Sequence, residues 1–334
     1  MSTSIVGVPA APSAEELGAA IGRLMQMSTG YMVSSALFVA AKLDIADLLW
    51  DGVQPVAELA RLTGTLEEPL YRVLRALASV GVFAEVEPKS FALTPTAYPL
   101  CTQSESSVRN MVHWIADPFH YPIWSELFAT VKTGKPAIEI VHGKQTFEAL
   151  FSDPRVARSF NDGMTNISAR TAPAILAAYD FSGIRKLVDV GGGHGHLLRS
   201  ILKRYPETEG TLYDLESVVQ GAAHGERLNL VAGDMFECVP AGADAYMMQH
   251  IIHDWDDLSA SKILTNCRKA LEGVIRQGNE PDPNKFLDLE MLTMCTGKER
   301  TEEQYRELLA SAGLRLNRVV PTREMVNVIE AVPA

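Results

Sequence analysis

The stretch KLVDVGGGHGHLLRSILKRY at residues 186–205 predicts a buried strand, a glycine-rich turn and a helix. Downstream, GTLYD, LNLVAGD and DAYMMQHII predict three further strands, and LSASKILTNCRKALE predicts another helix. Because strands that alternate with helices form parallel sheets, this pattern predicts a doubly wound, Rossmann-like α/β domain over residues 181–334. The segments RLNRVV and MVNVIEAV predict a closing antiparallel hairpin.

Residues 14–100 follow a different pattern, of helices and one short hairpin. Apolar residues recur at helical spacing from residue 36 to 49, and VFAEVE and SFALT predict a two-stranded wing, so the segment is predicted to be a winged helix. DNA binding is one interpretation of such a module. The helix that would enter the groove begins with EEP and offers only Arg72 and Arg75 to phosphates, which favours packing or dimerisation instead.

Composition excludes several classes of protein. The formal net charge of −11 argues against a nucleic-acid partner, and apolar windows such as residues 33–43 are too short to span a membrane. The first dozen residues do not resemble a signal peptide, and residues 1–13 are predicted to be a disordered tail. The four cysteines form no CxxC pair, which argues against structural zinc and fits the cytoplasm; they are Cys101, Cys238, Cys267 and Cys295.

Polar residues and glycines follow every predicted strand at its carboxyl end, where ligands bind in doubly wound sheets. In strand order they are Gly191, Gly192, Gly193 and Gly195; Asp214; Gly233, Asp234 and Met235; and His253, Asp254 and Trp255. The glycine turn lacks the third glycine of the dinucleotide motif, because residue 196 is histidine, and it lacks the lysine of a phosphate loop. With the two acids it predicts an adenosyl ligand rather than a simple solvated turn.

Residues 101–180 are predicted to be a helical linker that contributes to a substrate pocket. Its aromatic residues and methionines fit either a helix core or a pocket for a flat aromatic molecule. The candidates for substrate contact are Met111, Trp114, Phe160 and Met164.

The segment HIIHDWDD at residues 250–257 contains two histidines and three aspartates, which could form either a metal site or a site of proton transfer. If the preceding strand continues to residue 252, His250 and His253 point to opposite faces of the sheet, which disfavours a shared metal ion. Asp256 and Asp257 then act as negative charges at a helix N-terminus. His250 is interpreted as structural, and no metal is predicted.

The motifs LVDVGGGHGHLL, LYDLESVV, GDMF, HIIHDW and GKERTEEQYRELLASAGL, in this order, resemble the S-adenosylmethionine-dependent O-methyltransferases of the caffeic acid and hydroxyindole type. The resemblance covers nearly the whole chain and implies a homodimer formed through the winged-helix half. It implies S-adenosylmethionine as the cofactor and a small aromatic substrate. The residues placed at the cofactor are Gly191, Gly193, Asp214, Gly233, Asp234, Met235, Gln249 and Ser168.

The resemblance also implies that His253 is the general base, with Glu299 and the adjacent Asp254 in the catalytic group. A histidine near pKa 6.5 and a phenol near 10 differ by roughly 3.5 units, about 5 kcal/mol, which attack on a sulfonium methyl can offset. An aliphatic alcohol is far less acidic. The sequence therefore predicts in-line methyl transfer to a phenolic or enolic hydroxyl.

Two departures from the family keep alternatives open. Between Leu271 and NEPDPNKF there is only EGVIRQG, too short for the family's fifth strand and its second glutamate, for which Glu272, Glu280 and Glu290 are all open candidates. Gln249 stands where the family usually has lysine or arginine. The alternatives are a relative with lost activity or with non-methylating chemistry such as hydroxylation, and a winged-helix regulator.

Overall fold

The structure, a computed structural model, describes residues 12–267 and 284–334. The chain divides into two compact units, one ending at Cys101 and the other running from Thr102 to Ala334. Each is described separately. Most of the predicted tail, residues 1–13, and most of the shortened region around residues 272–285 lie outside the described residues.

The first unit consists of helices around a small antiparallel sheet. Its elements are α1 (Ala14–Ser28), α2 (Gly30–Lys42), α3 (Ile45–Leu48), β1 (Gln54–Pro55), α4 (Val56–Thr63), α5 (Glu67–Ser79), β2 (Phe83–Glu87), β3 (Ser90–Leu93) and a 3₁₀ turn, Tyr98–Leu100. The sheet order β1-β3-β2 contains the predicted wing, β2 and β3. Leu70, Leu74 and Leu77 are buried on one face of α5, as their spacing of three and four predicts.

Helix α1 buries none of its residues within the chain. Leu17, Ile21 and Leu24 recur at helical spacing and are all exposed. An apolar face of this kind is costly to leave in water. No single helix among the described residues is long and apolar enough to cross a membrane, although α1 and α2 would qualify as a pair, across a 40° bend.

The second unit contains a parallel sheet of four strands, as the alternation of strands and helices predicts. The strands β4 (Lys186–Val190), β5 (Glu209–Asp214), β6 (Leu228–Ala232) and β7 (Ala245–Met247) are arranged in the order β6-β5-β4-β7. Successive residues of β4 point to opposite faces, and both faces are buried. Leu187 packs in the cluster with α11 (His196–Arg204), and Val188 packs in the cluster with α13 (Asp257–Cys267) and α15 (Glu302–Ser311).

The second unit contains further elements besides this sheet and the helices already named. They are α6 (Arg109–Ile115), a 3₁₀ turn (Tyr121–Glu126), α7 (Leu127–Thr133), α8 (Ala137–His142), α9 (Thr146–Phe151), α10 (Pro154–Ala178), α12 (Glu216–Val219), α14 (Asn284–Met294), β8 (Leu314–Pro321) and β9 (Asn327–Pro333). Strands β8 and β9 form the predicted antiparallel hairpin, while α14 is a helix that the sequence patterns did not indicate. The helices between residues 102 and 178 belong to the same unit as the sheet.

The fourth strand is shorter than the sequence predicts. Strand β7 ends at Met247, His250 has a left-handed backbone (φ 57°), and Ile252–Asp254 form a 3₁₀ turn. The expectation that His250 and His253 point to opposite faces is therefore wrong, and their ring centroids lie 5.3 Å apart. The alternation of side chains between faces applies only to extended backbone, which ends three residues before His250.

Candidate active site

The glycine loop connects β4 to α11 and keeps one side open. Gly191 (φ 68°) donates its N–H to the Tyr213 carbonyl at 2.8 Å, and a Cβ added to it would overlap the side chain of Ile251. By contrast, a Cβ on Gly193 (φ 59°) would meet nothing within 4 Å. The loop therefore packs tightly on one side and leaves accessible backbone at Gly193, where a ligand could lie close.

Asp214 fixes this loop to the end of the neighbouring strand. Its Oδ2 accepts the Gly193 N–H at 2.8 Å, and its Oδ1 accepts the N–H of Leu215 at 2.7 Å. Burial raises the pKa of this carboxyl above its usual value, although the two backbone hydrogen bonds partly oppose the shift. Each oxygen keeps a further lone pair, so the carboxylate could also accept hydroxyl groups of a ribose.

The third strand end is joined to the second by a backbone hydrogen bond. Gly233 donates its N–H to the Asp214 carbonyl at 3.0 Å, and a Cβ at residue 233 would collide with the ring of Tyr213. Asp234 Oδ1 accepts the N–H of Phe236 at 2.8 Å, which fixes the turn that carries Met235. The structure thus brings together the ends of the second and third strands, as predicted.

Gln249 connects the fourth strand end to α10. Its Oε1 accepts a hydrogen bond from Ser168 Oγ at 2.9 Å, and its Nε2 donates to Thr171 Oγ1 at 2.7 Å. On the same helix, Thr165 Oγ1 lies 3.3 Å from Nδ1 of His194 in the glycine loop. Ser168 and Gln249 therefore contact each other, and the neutral amide forms one hydrogen bond through its oxygen and one through its nitrogen where a lysine would place a charge.

Asp189 is a site residue that the sequence patterns did not single out. It is 2% exposed, is the second-last residue of β4, and its Oδ1 is buried without a hydrogen-bond partner. A Cβ on Gly192 would come within 2.6 Å of its Cγ. Burial, and to a lesser degree the charge of Asp214, raise the pKa of Asp189 to about 8. The acid inside the apolar run LVDV was the available signal, because buried strands rarely contain one.

These residues fit a bound adenosyl sulfonium. The backbone at Gly193 is open, Asp214 and Asp234 lie at adjacent strand ends, and an unpaired buried carboxyl oxygen lies beneath the loop. The acidic edge suits a cation and a ribose, whereas a pyrophosphate would be repelled. Gly193, Asp214 and Asp234 would hold the nucleoside.

His253 is almost completely buried and has a carboxylate on each side. Its Nδ1 lies 2.6 Å from Oε1 of Glu299, and its Nε2 lies 3.6 Å from Oδ1 of Asp254. The short contact assigns the imidazole proton to Nδ1, because a carboxylate only accepts. Nε2 is then left with its lone pair, which is the arrangement that a general base requires.

The groups around His253 are strongly desolvated. Burial raises the pKa of Asp254 to about 6, although the charge of His253 opposes the shift. Burial and the neighbouring His253 lower the pKa of His250 to about 3, so that ring is neutral at physiological pH. The described part of the chain contains no group of three or more histidine, cysteine, aspartate or glutamate side chains arranged to hold a metal ion.

The predicted substrate residues form one apolar cluster. Trp114 is 3% exposed and packs edge-on against Phe160, with ring centroids 5.2 Å apart. Met111, Phe160 and Met164 are partly buried around it. The buried position favours a packing role for Trp114, and contact of the other three with substrate stays a prediction.

Glu290 is engaged away from His253. Its Oε1 lies 2.6 Å from Nε2 of His120, and its Oε2 accepts the Trp124 indole N–H at 2.9 Å. His120 Nδ1 lies 3.0 Å from the carbonyl of Ile115, so both ring nitrogens face acceptors. Burial disfavours the charged ring, but Glu290 outweighs it and the pKa of His120 is raised. Glu290 is therefore no candidate for the second glutamate, and Glu272 and Glu280 lie outside the described residues.

Comparison with known proteins identifies the family of this chain. Residues 124–315 match the model of the O-methyltransferase domain, and residues 25–103 match the O-methyltransferase dimerisation domain. The chain is 39% identical to a phenazine O-methyltransferase from Lysobacter antibioticus, over 93% of this chain and 95% of that protein. It is 33% identical to phenazine-1-carboxylate N-methyltransferase from Pseudomonas aeruginosa, over 90% of this chain and 94% of that protein.

A solved structure shows the same fold with ligands bound. It is an O-methyltransferase from neocarzinostatin biosynthesis in complex with S-adenosylmethionine and 2-hydroxy-5-methyl naphthoic acid. The TM-score is 0.76 at 31% identity, covering 90% of this chain and 96% of that one. On the family match, the identities and the shared fold, the chain belongs to the S-adenosylmethionine-dependent methyltransferases that carry the O-methyltransferase and dimerisation domains.

Proposed function

We propose that the protein methylates a phenolic or enolic hydroxyl of an aromatic small molecule, with His253 as the general base. The observation that carries this proposal is the buried pair of His253 and Glu299, with 2.6 Å between Nδ1 and Oε1. The pair lies at the sheet edge that also carries the glycine loop. Relatives that act on phenazine and naphthoic acid scaffolds support an aromatic acceptor.

The residues around His253 suit removal of a proton from an acidic hydroxyl. When bound, S-adenosylmethionine supplies an electrophilic methyl group on a sulfonium sulfur. Nε2 of His253 would take the hydroxyl proton, and the oxygen would accept the methyl group as its bond to sulfur breaks and S-adenosylhomocysteine leaves. The negative charge of Glu299 stabilises the imidazolium as it forms, and the Asp254 carboxylate, 3.6 Å from Nε2, adds to this effect.

The decisive experiment is methyl transfer by His253→Ala over a panel of phenols. General-base catalysis contributes roughly 10²–10⁴-fold, so turnover should fall by about that factor while the Kd for S-adenosylmethionine changes little. His224→Ala, at an exposed position, is the matched control. Undiminished turnover in His253→Ala would reject the assignment.

N-methylation is the second candidate, because the relative from Pseudomonas aeruginosa is an N-methyltransferase. An aromatic ring nitrogen already has a free lone pair and needs no base. Assaying a phenol and an aza-aromatic acceptor side by side separates the two functions. Methyl transfer to the phenol oxygen should depend on His253, whereas methyl transfer to a ring nitrogen should persist in His253→Ala.

The cofactor half of the site can be tested separately by calorimetry with S-adenosylmethionine and S-adenosylhomocysteine. Asp214→Ala removes the acceptor that fixes Gly193 and the proposed ribose contact. A lost charge-assisted hydrogen bond costs about 1.5–3 kcal/mol, so the Kd should rise by roughly 10–100-fold for both ligands. Turnover at saturating cofactor should fall much less.

We also propose that the protein is a homodimer in which the exposed apolar face of α1 contacts the partner copy. Residues 25–103 match a dimerisation domain, and Ile21 and Leu24 are exposed on α1. Ile21→Glu with Leu24→Glu should weaken the dimer by at least tenfold in sedimentation experiments, because charges would enter an apolar interface. Gln26→Glu, at an exposed position of the same helix, is the control. A wild-type monomer at micromolar concentration would refute the proposal.

A further inference from the structure

The segment Gly297–Arg300 lies against residues 252–255, the part of the loop that carries His253. Glu299 holds the His253 ring at 2.6 Å, and Lys298 Nζ lies 2.9 Å from Oδ2 of Asp257. The two flanking residues, Gly297 and Arg300, contact the backbone of the same loop rather than its rings. Three of the four residues thus contact the loop, and Lys298 contacts the start of α13, from a position more than forty residues along the chain.

Gly297 packs directly on the backbone of the loop. A Cβ at this position would overlap the His253 carbonyl oxygen and come within 2.5 Å of the backbone of Asp254 and Trp255. These are main-chain atoms, which cannot move aside as a flexible side chain can. Glycine at 297 therefore allows the two segments to approach within backbone contact.

Arg300 is completely buried and binds the loop on both sides of the catalytic pair. Its Nη1 donates to the Ile252 carbonyl at 3.1 Å, and its Nη2 donates to the Trp255 carbonyl at 2.8 Å. These are the residues immediately before His253 and immediately after Asp254. The planar guanidinium holds its donors in a fixed geometry, so the two bonds set the distance between the ends of this short turn.

Asp257 balances the charge of Arg300 and sets its orientation. Its Oδ1 accepts from Arg300 Nε at 2.9 Å and from Nη2 at 2.8 Å. Without this partner the buried guanidinium would be strongly destabilising. Asp257 itself is 60% exposed and lies at the first position of α13, and asparagine at this position would keep an acceptor oxygen for the guanidinium while removing the charge.

From this geometry we infer that Arg300 is a positioning residue for the proton transfer, acting through the loop backbone while Glu299 acts on the ring. The inference rests on the proposed role of His253. Because the loop follows a strand of only three residues and contains a left-handed His250, its own local structure constrains it weakly. Arg300 supplies the constraint that regular secondary structure would otherwise give, and it sets the direction in which Nε2 points.

The test compares Arg300→Lys, Arg300→Met and Asp257→Asn with Arg306→Lys in the full-length protein. Arg306 forms exposed ion pairs with Glu302 and Glu303, so its variant is the matched control. Both Arg300 variants should lower kcat by about 10–100-fold, because misplacement of a catalytic group by about 1 Å costs that much. The Kd for S-adenosylmethionine and the KM for the acceptor should change by less than about threefold.

Proton and nitrogen NMR of histidine-labelled protein supplies a readout that is independent of activity. The Nδ1 proton of His253, identified by its loss in His253→Asn, should shift or broaden in Arg300→Lys and in Asp257→Asn, and remain unchanged in Arg306→Lys. An unchanged His253 signal together with unchanged kcat in Arg300→Lys would overturn the inference. If Arg300→Met fails to fold, Asp257→Asn decides by the same two readouts, with a smaller fall in kcat expected.

Failure of the proposed function would look different. If His253→Ala remains fully active, His253 is not the base, yet the NMR comparison still shows whether Arg300 positions its ring. A fall in kcat for Arg300→Lys that is accompanied by an equal loss of cofactor binding would also count against positioning. In that case Arg300 would stabilise the fold of both the His253 loop and the cofactor-binding residues.

Discussion

The strand ends that carry the proposed cofactor residues Gly193, Asp214 and Gly233, called here the cofactor edge, lie beside the loop that carries His253, and the two are held in different ways. At the cofactor edge, Gly193 bonds to Asp214, and Gly233 bonds to the carbonyl of the same residue, so neighbouring strand ends fix one another. The loop carrying His253 follows a three-residue strand, and residues 297–300 hold it. The cofactor edge therefore follows from local strand geometry, whereas the position of His253 depends on a segment distant in sequence.

The largest effect is expected at the contact between the two segments, from Gly297→Ala. The new methyl group would overlap main-chain atoms of the His253 loop, so the loop must move or the protein must lose stability. Turnover should fall by at least about 10²-fold, while the Kd for S-adenosylmethionine changes far less. Turnover and Kd are measured on the same preparation. If both are lost together, the cofactor edge and the His253 loop are not held independently.

Gly30→Ala is the control for that experiment. Its Cβ would meet nothing within 4 Å, so only the difference in backbone entropy remains, and activity should persist.

A second prediction concerns the buried acid of the cofactor edge. The pKa of Asp189 is raised from 3.8 to about 8 in the folded protein, so the folded state retains a proton that the unfolded chain loses. Stability is therefore lost as the pH rises from about 4 to about 8. Asp189→Asn, which mimics the neutral acid, should remove this dependence.

Between pH 6 and pH 9 the wild type should lose about 2–3 kcal/mol more unfolding free energy than Asp189→Asn, because each pKa unit corresponds to about 1.4 kcal/mol. Urea denaturation of both proteins without cofactor, at several pH values, measures the difference. Parallel curves for the two proteins would show that the carboxyl is already ionised at pH 6.

The smallest effect is expected in the loop that carries His253, at Asp254. Its pKa of about 6 means that the carboxylate beside His253 Nε2 is neutralised below pH 6 and charged above it. Asp254→Asn should lower kcat at pH 7.5 by roughly 3–10-fold. A buried carboxylate stabilises a neighbouring imidazolium by about 1 kcal/mol or more, whereas an exposed carboxylate would contribute little. At pH 5.5 the two proteins should differ less, and an equal difference at both pH values would assign Asp254 a structural role.

Sequence patterns predicted the cofactor edge better than the loop for a physical reason. The strand ends before Gly191, Asp214 and Asp234 follow from the period of buried residues and from the common edge of parallel strands, both of which are local properties. Asp189 was missed although an acid inside an apolar run is itself a signal, because the run predicts the strand but not what surrounds the acid.

The loop was predicted only in part. The pairing of His253 with Glu299 came from family resemblance, but the approach of His250 to His253 did not, because it depends on a left-handed residue and a 3₁₀ turn. The bonds of Arg300 to two carbonyls join residues far apart in sequence, and helix α14 carries no strong periodic signal. Such long-range contacts are set by packing, which a single sequence does not display.

The space left by the missing side chain of Gly191 has a further consequence. The Ile251 side chain fills that space, and Ile251 lies between His250 and His253. Any side chain at residue 191 would displace Ile251, and with it the segment that carries the imidazole. Residue 191 therefore limits where the backbone of residues 250–253 can lie, although it makes no contact with the imidazole itself.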